Sequence, residues 1–153
     1  MTTEQVEALG LTIEKLSPTI GAEISGIDLT EELSDDFVAY LSHLLVEYKA
    51  IFFRDQDITT EQHLAFGRRF GELEVHPFAG SASIRNKKGY SEVLELHFNR
   101  DRSPQGADIW HSDVTWRQEP SLGSILRARI CPSCGGDTLY ADMEAAYEGL
   151  DEA

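Results

Sequence analysis

A histidine and an aspartate lie two residues apart in WHSDVTW (residues 110–116), a stretch with a tryptophan at each end. If the stretch is a β-strand, side-chain alternation places His111, Asp113 and Thr115 on one face and the tryptophans on the other, apolar face. An imidazole beside a carboxylate suits a divalent metal, and non-haem Fe(II) oxygenases combine two histidines with one carboxylate. With 5 histidines and 27 acidic residues, about one His-x-Asp pair arises by chance, so a hydrogen-bonded pair at a sheet surface is the alternative.

The composition narrows the class of protein that contains this pair. The 153 residues are 41% hydrophobic, enough for one core, and no run approaches the roughly 18 apolar residues of a membrane span. The formal net charge of −14 argues against nucleic acid, because phosphates require a clustered basic surface, and the basic RNKK (residues 85–88) lies in a predicted loop. The start MTTEQVEALG lacks a signal-peptide pattern, so we expect a cytoplasmic protein with no membrane and no nucleic-acid partner.

Short strands and a few helices are predicted around the pair. Alternating or continuous apolar residues predict strands at 11–16, 22–29, 50–53, 72–76, 92–98 and 124–130. Capping residues and apolar spacing predict a helix over about 35–48 after Ser34, a second from the Thr59/Gln62 capping box to Gly71, and a third after Asp142. This order favours an α+β or jelly-roll-type fold.

The two cysteines form a C-x-x-C pattern in CPSCGGDT, at Cys131 and Cys134. This spacing is compatible with a redox motif or with half of a zinc site. A four-thiolate site needs a second cysteine pair, which the sequence lacks, and no helix is predicted directly after the motif as in thioredoxin-like proteins. We therefore favour two cysteines in a tight turn, and a thiol-redox protein remains an alternative function.

The motifs taken together resemble one known family. WHSDVTW, followed by SILRARICPSCGGDTLYADMEAAYEGL, is similar to the taurine dioxygenase/TfdA family of Fe(II)- and 2-oxoglutarate-dependent dioxygenases. The upstream IGAEISGIDL, IFFRDQDIT and FGRRFGELEVHP fit the same family in the same order, so the resemblance extends through about Leu150. It implies a double-stranded β-helix, or jelly roll, with flanking helices, and Fe(II) with 2-oxoglutarate as cosubstrate.

The resemblance implies roles for four residues. His111 and Asp113 would be two of the metal ligands, and the Thr138 hydroxyl would donate a hydrogen bond to a carboxylate of 2-oxoglutarate. His76, in ELEVHP, would lie at the substrate pocket, where taurine-oxidising members bind the sulfonate group. A surface histidine at a strand end is the alternative for His76. Structural roles are expected for the other three histidines, His43, His63 and His97.

The implied reaction is hydroxylation of a small organic anion, a sulfonate, sulfate ester or carboxylate, with succinate and CO2 as coproducts. Taurine-specific relatives have a tyrosine and an asparagine where this sequence has Ala79 and Ala107. An alanine side chain forms no hydrogen bond with an amine, so we expect taurine not to be the preferred substrate.

The family's second metal histidine and its 2-oxoglutarate-binding arginine have no counterpart in this sequence. We therefore expect residues 1–153 to be the N-terminal portion of a single dioxygenase domain, with an incomplete jelly roll. The alternative is a truncated, catalytically inactive fragment or binding module. Unpaired strand edges would favour association, which leaves a homo-oligomer open.

Overall fold

The computed structural model describes residues 10–77, 85–97 and 109–151. The strands are β1 (Thr12–Lys15), β2 (Ala22–Ser25), β3 (Ile51–Phe52), β4 (Asn86–Lys87) and β5 (Tyr90–Leu94), and the helices are α1 (Asp35–Tyr48), α2 (Thr60–Arg68) and α3 (Met143–Glu148). The chain divides into two compact units, a first unit of Met1–Glu72 with Cys134–Ala153 and a second unit of Leu73–Ser133. No helix in the described ranges is long and apolar enough to cross a membrane.

The first unit contains a three-stranded sheet in the order β1-β2-β3. β1 and β2 are antiparallel, with Ile13 opposite Ile24, and β3 is parallel to β2, with Ala22 opposite Ile51. Ala22 and Ile24 are buried because alternate residues of β2 face the helices. The predicted N-terminal strands and the predicted strand at 50–53 are therefore confirmed, although each is shorter than expected.

Helix α1 is capped at both ends by residues next to it in the sequence. The Ser34 side chain accepts a hydrogen bond from the Phe37 amide at 3.3 Å, which satisfies one of the free N–H groups of the first turn. The helix ends at Lys49, whose backbone is left-handed (φ 63°) and whose N–H donates to the Leu45 carbonyl. The prediction of a helix over 35–48 is confirmed.

The core of the first unit lies between α1, α2 and the sheet. Thr59 and Gln62 form the predicted capping box of α2, which ends at Arg68, before the predicted end at Gly71. The Phe66 ring contacts Phe53 and Phe70 edge to face. The buried cluster comprises Leu11, Ile24, Leu29, Phe37, Leu41, Leu44, Ile58 and Phe66.

The second unit contains the antiparallel pair β4 and β5, joined by a turn at Lys88 and Gly89. Gly89 has a φ of 88°, which an L-residue with a side chain rarely adopts. The prediction of a loop at RNKK is wrong, because this turn allows Asn86 and Lys87 to pair with residues 90–94. The predicted strand at 92–98 corresponds to β5, which begins earlier, and residues 72–76 are not a strand.

Two predicted strands that bear on the site are also wrong. Residues 110–116 contain a turn, and residues 124–130 are not a strand. A strand requires a hydrogen-bonded neighbour, and no described segment pairs with either stretch. The described residues thus combine helices with two small sheets, as an α+β prediction requires, but these sheets do not form a double-stranded β-helix.

Candidate functional site

The His111 and Asp113 side chains approach each other. The His111 Nε2 and Asp113 Oδ1 atoms are 3.7 Å apart, and His111 Nδ1 lies 2.8 Å from the Ile109 carbonyl oxygen. A carbonyl oxygen only accepts, so in the neutral ring the Nδ1–H donates to it and Nε2 keeps its lone pair. A backbone hydrogen bond of this kind fixes the tautomer and the orientation of a metal-binding histidine.

A turn, rather than a strand, brings these two residues together. Residues 113–116 form the turn, and the Arg117 amide donates to the Val114 carbonyl at 3.0 Å. Val114 is left-handed, with a φ of 49°, a conformation that costs an L-residue about 1–2 kcal/mol. The sequence-based prediction was right about the proximity of His111 and Asp113 but wrong about the backbone that produces it.

The pair is accessible to a ligand. The side chains of His111 and Asp113 are 51% and 66% exposed, respectively. Trp110 and Trp116 are also exposed, so they do not form a separate apolar face opposite the pair, as the strand prediction required. A strand would alternate between faces, whereas the turn directs both tryptophans to the surface of the described structure.

The separation of the two side chains is near that of two adjacent ligands of one metal. Two atoms at right angles around an octahedral ion, each about 2.0–2.2 Å from it, lie roughly 3 Å apart, so the observed 3.7 Å between Nε2 and Oδ1 would have to shorten by less than about 1 Å. Among the residues that the structure describes, no group of three histidine, cysteine or acidic side chains is placed to hold a metal. The described residues therefore contain one histidine–aspartate pair at this place and no three-residue group of this kind.

An ion pair connects the turn to the segment that contains His76. Arg117 Nη1 lies 2.6 Å from Glu74 Oε2, and the Arg117 guanidinium lies 5.5 Å from the centre of the Trp116 ring. Hydrogen bonds from Arg117 and then Ser121 hold the pKa of the Glu74 carboxyl below its ordinary value. His76 is half-buried and lies two residues from this contact, within the same unit.

Sequence reasoning missed this contact. Arg117 follows Glu74 by 43 positions, and the sequence contains many acidic residues with no local signal that selects one of them as its partner. Only the packing of the second unit identifies the partner.

Thr138 belongs to the first unit, whereas His111, Asp113 and His76 belong to the second. Its side chain is exposed, and it follows Gly135 and Gly136, which have φ angles of 75° and 76°. Both glycines have a positive φ, which residues with side chains rarely adopt, and residues 135–140 have no regular secondary structure. Cys131 and Cys134 are exposed free thiols.

Non-haem Fe(II) oxygenases hold iron with two histidines and one carboxylate, and the described pair contains one residue of each type. Residues 12–153 match the family model described as "Taurine catabolism dioxygenase TauD, TfdA family", and the chain belongs to this family. Enzymes of this family use Fe(II) and 2-oxoglutarate. The predicted resemblance is confirmed.

The curated relatives include an alkylsulfatase of Acinetobacter baylyi, which is 40% identical over 144 residues and is matched over 93% of this chain and 43% of its own length. An alpha-ketoglutarate-dependent sulfate ester dioxygenase of Pseudomonas putida is 35% identical, over 95% of this chain and 46% of its own length. An (S)-phenoxypropionate/alpha-ketoglutarate-dioxygenase of Sphingobium herbicidovorans is also 35% identical. The chain spans about half the length of the curated relatives it matches.

A solved structure supports the same family. The crystal structure of AAD-2 in complex with Mn(II) and N-oxalylglycine is 29% identical, with a TM-score of 0.66, and is matched over 93% of this chain and 46% of its own. N-oxalylglycine is an analogue of 2-oxoglutarate. TauD-like dioxygenases of this kind have a jelly-roll fold.

Proposed function

We propose that this chain is part of an Fe(II)- and 2-oxoglutarate-dependent dioxygenase that hydroxylates a small organic anion, with succinate and CO2 as coproducts. The His111–Asp113 pair is the observation on which the proposal rests, because its two ligand atoms are 3.7 Å apart and both side chains are exposed. The names of the relatives in the same family support the reaction type.

His111 and Asp113 would hold the metal through Nε2 and a carboxylate oxygen. The Ile109 carbonyl would keep the imidazole in the required tautomer and orientation. When bound, Fe(II) with 2-oxoglutarate supplies the oxidising power that hydroxylation of carbon requires. The contribution of the chain is to orient these ligands and, through Thr138, to donate a hydrogen bond to a cosubstrate carboxylate.

The substrate class follows from His76 and from the relatives. An imidazole donates a hydrogen bond or, when protonated, provides a positive charge, and either would bind a sulfate, sulfonate or carboxylate group. Relatives named for sulfate esters, phenoxypropionate and sulfonates support an anionic substrate. Ala79 and Ala107 lie outside the described residues, so the proposed discrimination against taurine rests on their side-chain chemistry.

The chain would supply the N-terminal portion of a single dioxygenase domain with a jelly-roll fold. Its match to about half of each curated relative supports this. Exposed apolar side chains in the second unit also support it, because surfaces of this kind are usually covered by another element or chain. These side chains are Ile109, Trp110, Trp116, Leu122, Ile125, Leu126 and Ile130.

The test compares the 153-residue chain with an extended form, in which the unmatched C-terminal part of the Acinetobacter relative follows residue 153. We expect Fe(II)- and 2-oxoglutarate-dependent succinate formation by the extended form and none by the shorter chain. The shorter chain should also associate in solution, which light scattering would detect. Mn(II) binding, measured by electron paramagnetic resonance, verifies that the extended form has a metal site.

An extended form that binds Mn(II) but forms no succinate with any anion would refute the dioxygenase and leave a binding module. A substrate panel should rank amine-free anions above taurine. A reversible disulfide between Cys131 and Cys134, in an extended form that forms no succinate, would instead support the thiol-redox alternative.

A further inference from the structure

Lys49 occupies a position that favours a different residue. It is the left-handed C-cap of α1, with a φ of 63°, and glycine is the residue that adopts this conformation without a steric cost. A cation at this end interacts favourably with the helix dipole, but the left-handed backbone costs a residue with a side chain about 1–2 kcal/mol. The contacts of the Lys49 side chain give a further reason for a lysine at this position.

The Lys49 side chain binds the N-terminus of α3. Its Nζ lies 2.9 Å from Asp142 Oδ2 and 2.9 Å from Glu144 Oε2, and 3.5 Å from the Thr19 carbonyl oxygen. Hydrogen bonds that the Lys49 ammonium donates to Asp142 and then to Glu144 raise its pKa. The Asp142 side chain is only 6% exposed, so this ion pair is shielded on one side from water.

Asp142 has two functions at once. While Oδ2 binds Lys49, Oδ1 accepts hydrogen bonds from the amides of Glu144 and Ala145, each at 3.1 Å, as the N-cap of α3. One carboxylate therefore fixes both the start of α3 and its attachment to the end of α1. The two contacts use different oxygens, so they can be removed separately.

A second contact lies close by in the same segment. The Tyr140 ring meets the Phe52 ring of β3 edge to face, with 5.5 Å between their centres. Thr138 is two residues before Tyr140. On its other side are Gly135 and Gly136, which have few conformational restraints. The position of Thr138 is therefore set mainly from its C-terminal side.

We propose that Lys49 and Asp142 are positioning residues for the cosubstrate: their ion pair fixes residues 138–142 so that the Thr138 hydroxyl meets a carboxylate of 2-oxoglutarate. This inference rests on the proposed function. It explains a lysine at a left-handed position, because the ion pair requires a long cationic side chain at the end of α1. All of the residues involved belong to the first unit.

The first test distinguishes loss of the Lys49–Asp142 ion pair from a change in the stability of α1. Lys49→Gly removes the ammonium and also relieves the left-handed backbone, so α1 amides should keep or gain protection in hydrogen exchange. Amides of residues 139–146 should exchange at least about threefold faster in the 153-residue chain. Asp142→Asn keeps an N-cap acceptor for α3 but removes the charge, and should give the same local loss.

The second test measures the KM for 2-oxoglutarate. In the extended form, Lys49→Gly and Asp142→Asn should raise the KM for 2-oxoglutarate about three- to tenfold, with little change in kcat or in the KM for the anionic substrate. Lys49→Arg should keep the KM for 2-oxoglutarate close to the wild-type value, because arginine retains the positive charge and a similar side-chain length. Arg54→Gln, which removes the exposed Arg54–Glu23 ion pair in the same unit, is the matched control.

The possible failures are distinguishable. Wild-type 2-oxoglutarate kinetics in both variants of an active extended form would overturn the positioning role. So would unchanged exchange at residues 139–146. Absence of turnover in an extended form that binds Mn(II) would refute the proposed function, and the positioning role would fail with it.

Discussion

Two regions of this chain have a similar proportion of apolar residues but differ in how far those residues are buried. In residues 10–72, Ile24 and Leu41 are almost completely enclosed between the helices and the sheet. In residues 109–130, Trp110, Trp116 and Ile130 are 69%, 69% and 89% exposed. The first region buries its apolar residues against itself, whereas the second has no strand partner in the described structure.

The candidate metal ligands lie in the less enclosed region. His111 and Asp113 are held by a turn, by one backbone carbonyl and by the neighbouring Arg117–Glu74 ion pair, not by a surrounding core. Regions with few buried contacts open locally at low free energy. The packed region contains the buried core, while the candidate metal ligands lie where few residues are buried.

The largest expected effect is on metal binding. In the extended form, His111→Ala should abolish Mn(II) binding and succinate formation, because no neighbouring group replaces a lost ligand. Its melting temperature without metal should stay close to that of the wild type, since the side chain is half exposed. His43→Ala, at an exposed position on α1, is the control and should remain active. Wild-type turnover by His111→Ala would remove this residue from the site.

The next effect is on folding. Leu41 is completely buried, so Leu41→Ala should lower the free energy of unfolding by about 2–5 kcal/mol. Leu126 is 66% exposed, and Leu126→Ala in the 153-residue chain should change it by less than about 0.5 kcal/mol. Urea denaturation measures both values. An equal loss of unfolding free energy in the two variants would show that residues 109–130 are also part of a packed core.

A smaller effect is expected on the affinity for 2-oxoglutarate. Thr138→Val preserves the shape of the side chain but removes one hydrogen bond to a charged carboxylate, worth about 1.5–3 kcal/mol. The apparent affinity of the extended form for 2-oxoglutarate should therefore fall by about tenfold or more. Thr12→Val, at an exposed position of β1, is the matched control. An unchanged affinity in Thr138→Val would limit this residue to shaping the chain after the glycines.

The smallest effect is the pH dependence of the α3 attachment. Hydrogen bonds from Lys49 and then the Ala145 amide lower the pKa of the Asp142 carboxyl below its ordinary value. The stabilisation that Asp142 contributes is thus complete above about pH 4 and is lost as the pH falls through the lowered pKa. Lys49 has a raised pKa, so its contribution is lost only at strongly basic pH.

NMR chemical shifts measure this pH dependence. On acidification, the Ala145 amide should shift before the methyl signals of Leu41, which report on the core. If the Ala145 amide and the Leu41 methyl signals change only together, at the pH where the core unfolds, the prediction of a separate Asp142 titration is wrong.

Much of the site could be predicted from short motifs. The pattern WHSDVTW predicted the proximity of His111 and Asp113, and the family match supports the reaction type. The proposed roles of Thr138 and His76 stay predictions. The backbone at 110–116 was predicted wrongly, because apolar alternation indicates a strand only where a neighbouring strand supplies hydrogen bonds.

The sequence by itself determined the helix starts. Ser34, Thr59 and Asp142 each cap a helix by hydrogen bonds within three residues, so the signal and its effect are adjacent in the chain. Only the tertiary structure decided that Lys49 binds Asp142, 93 residues away, and that Arg117 binds Glu74, 43 residues away. The same holds for the pairing of Asn86 and Lys87 with β5. These contacts depend on which distant segments pack together, because charge and strand propensity define a type of partner but not its position in the chain.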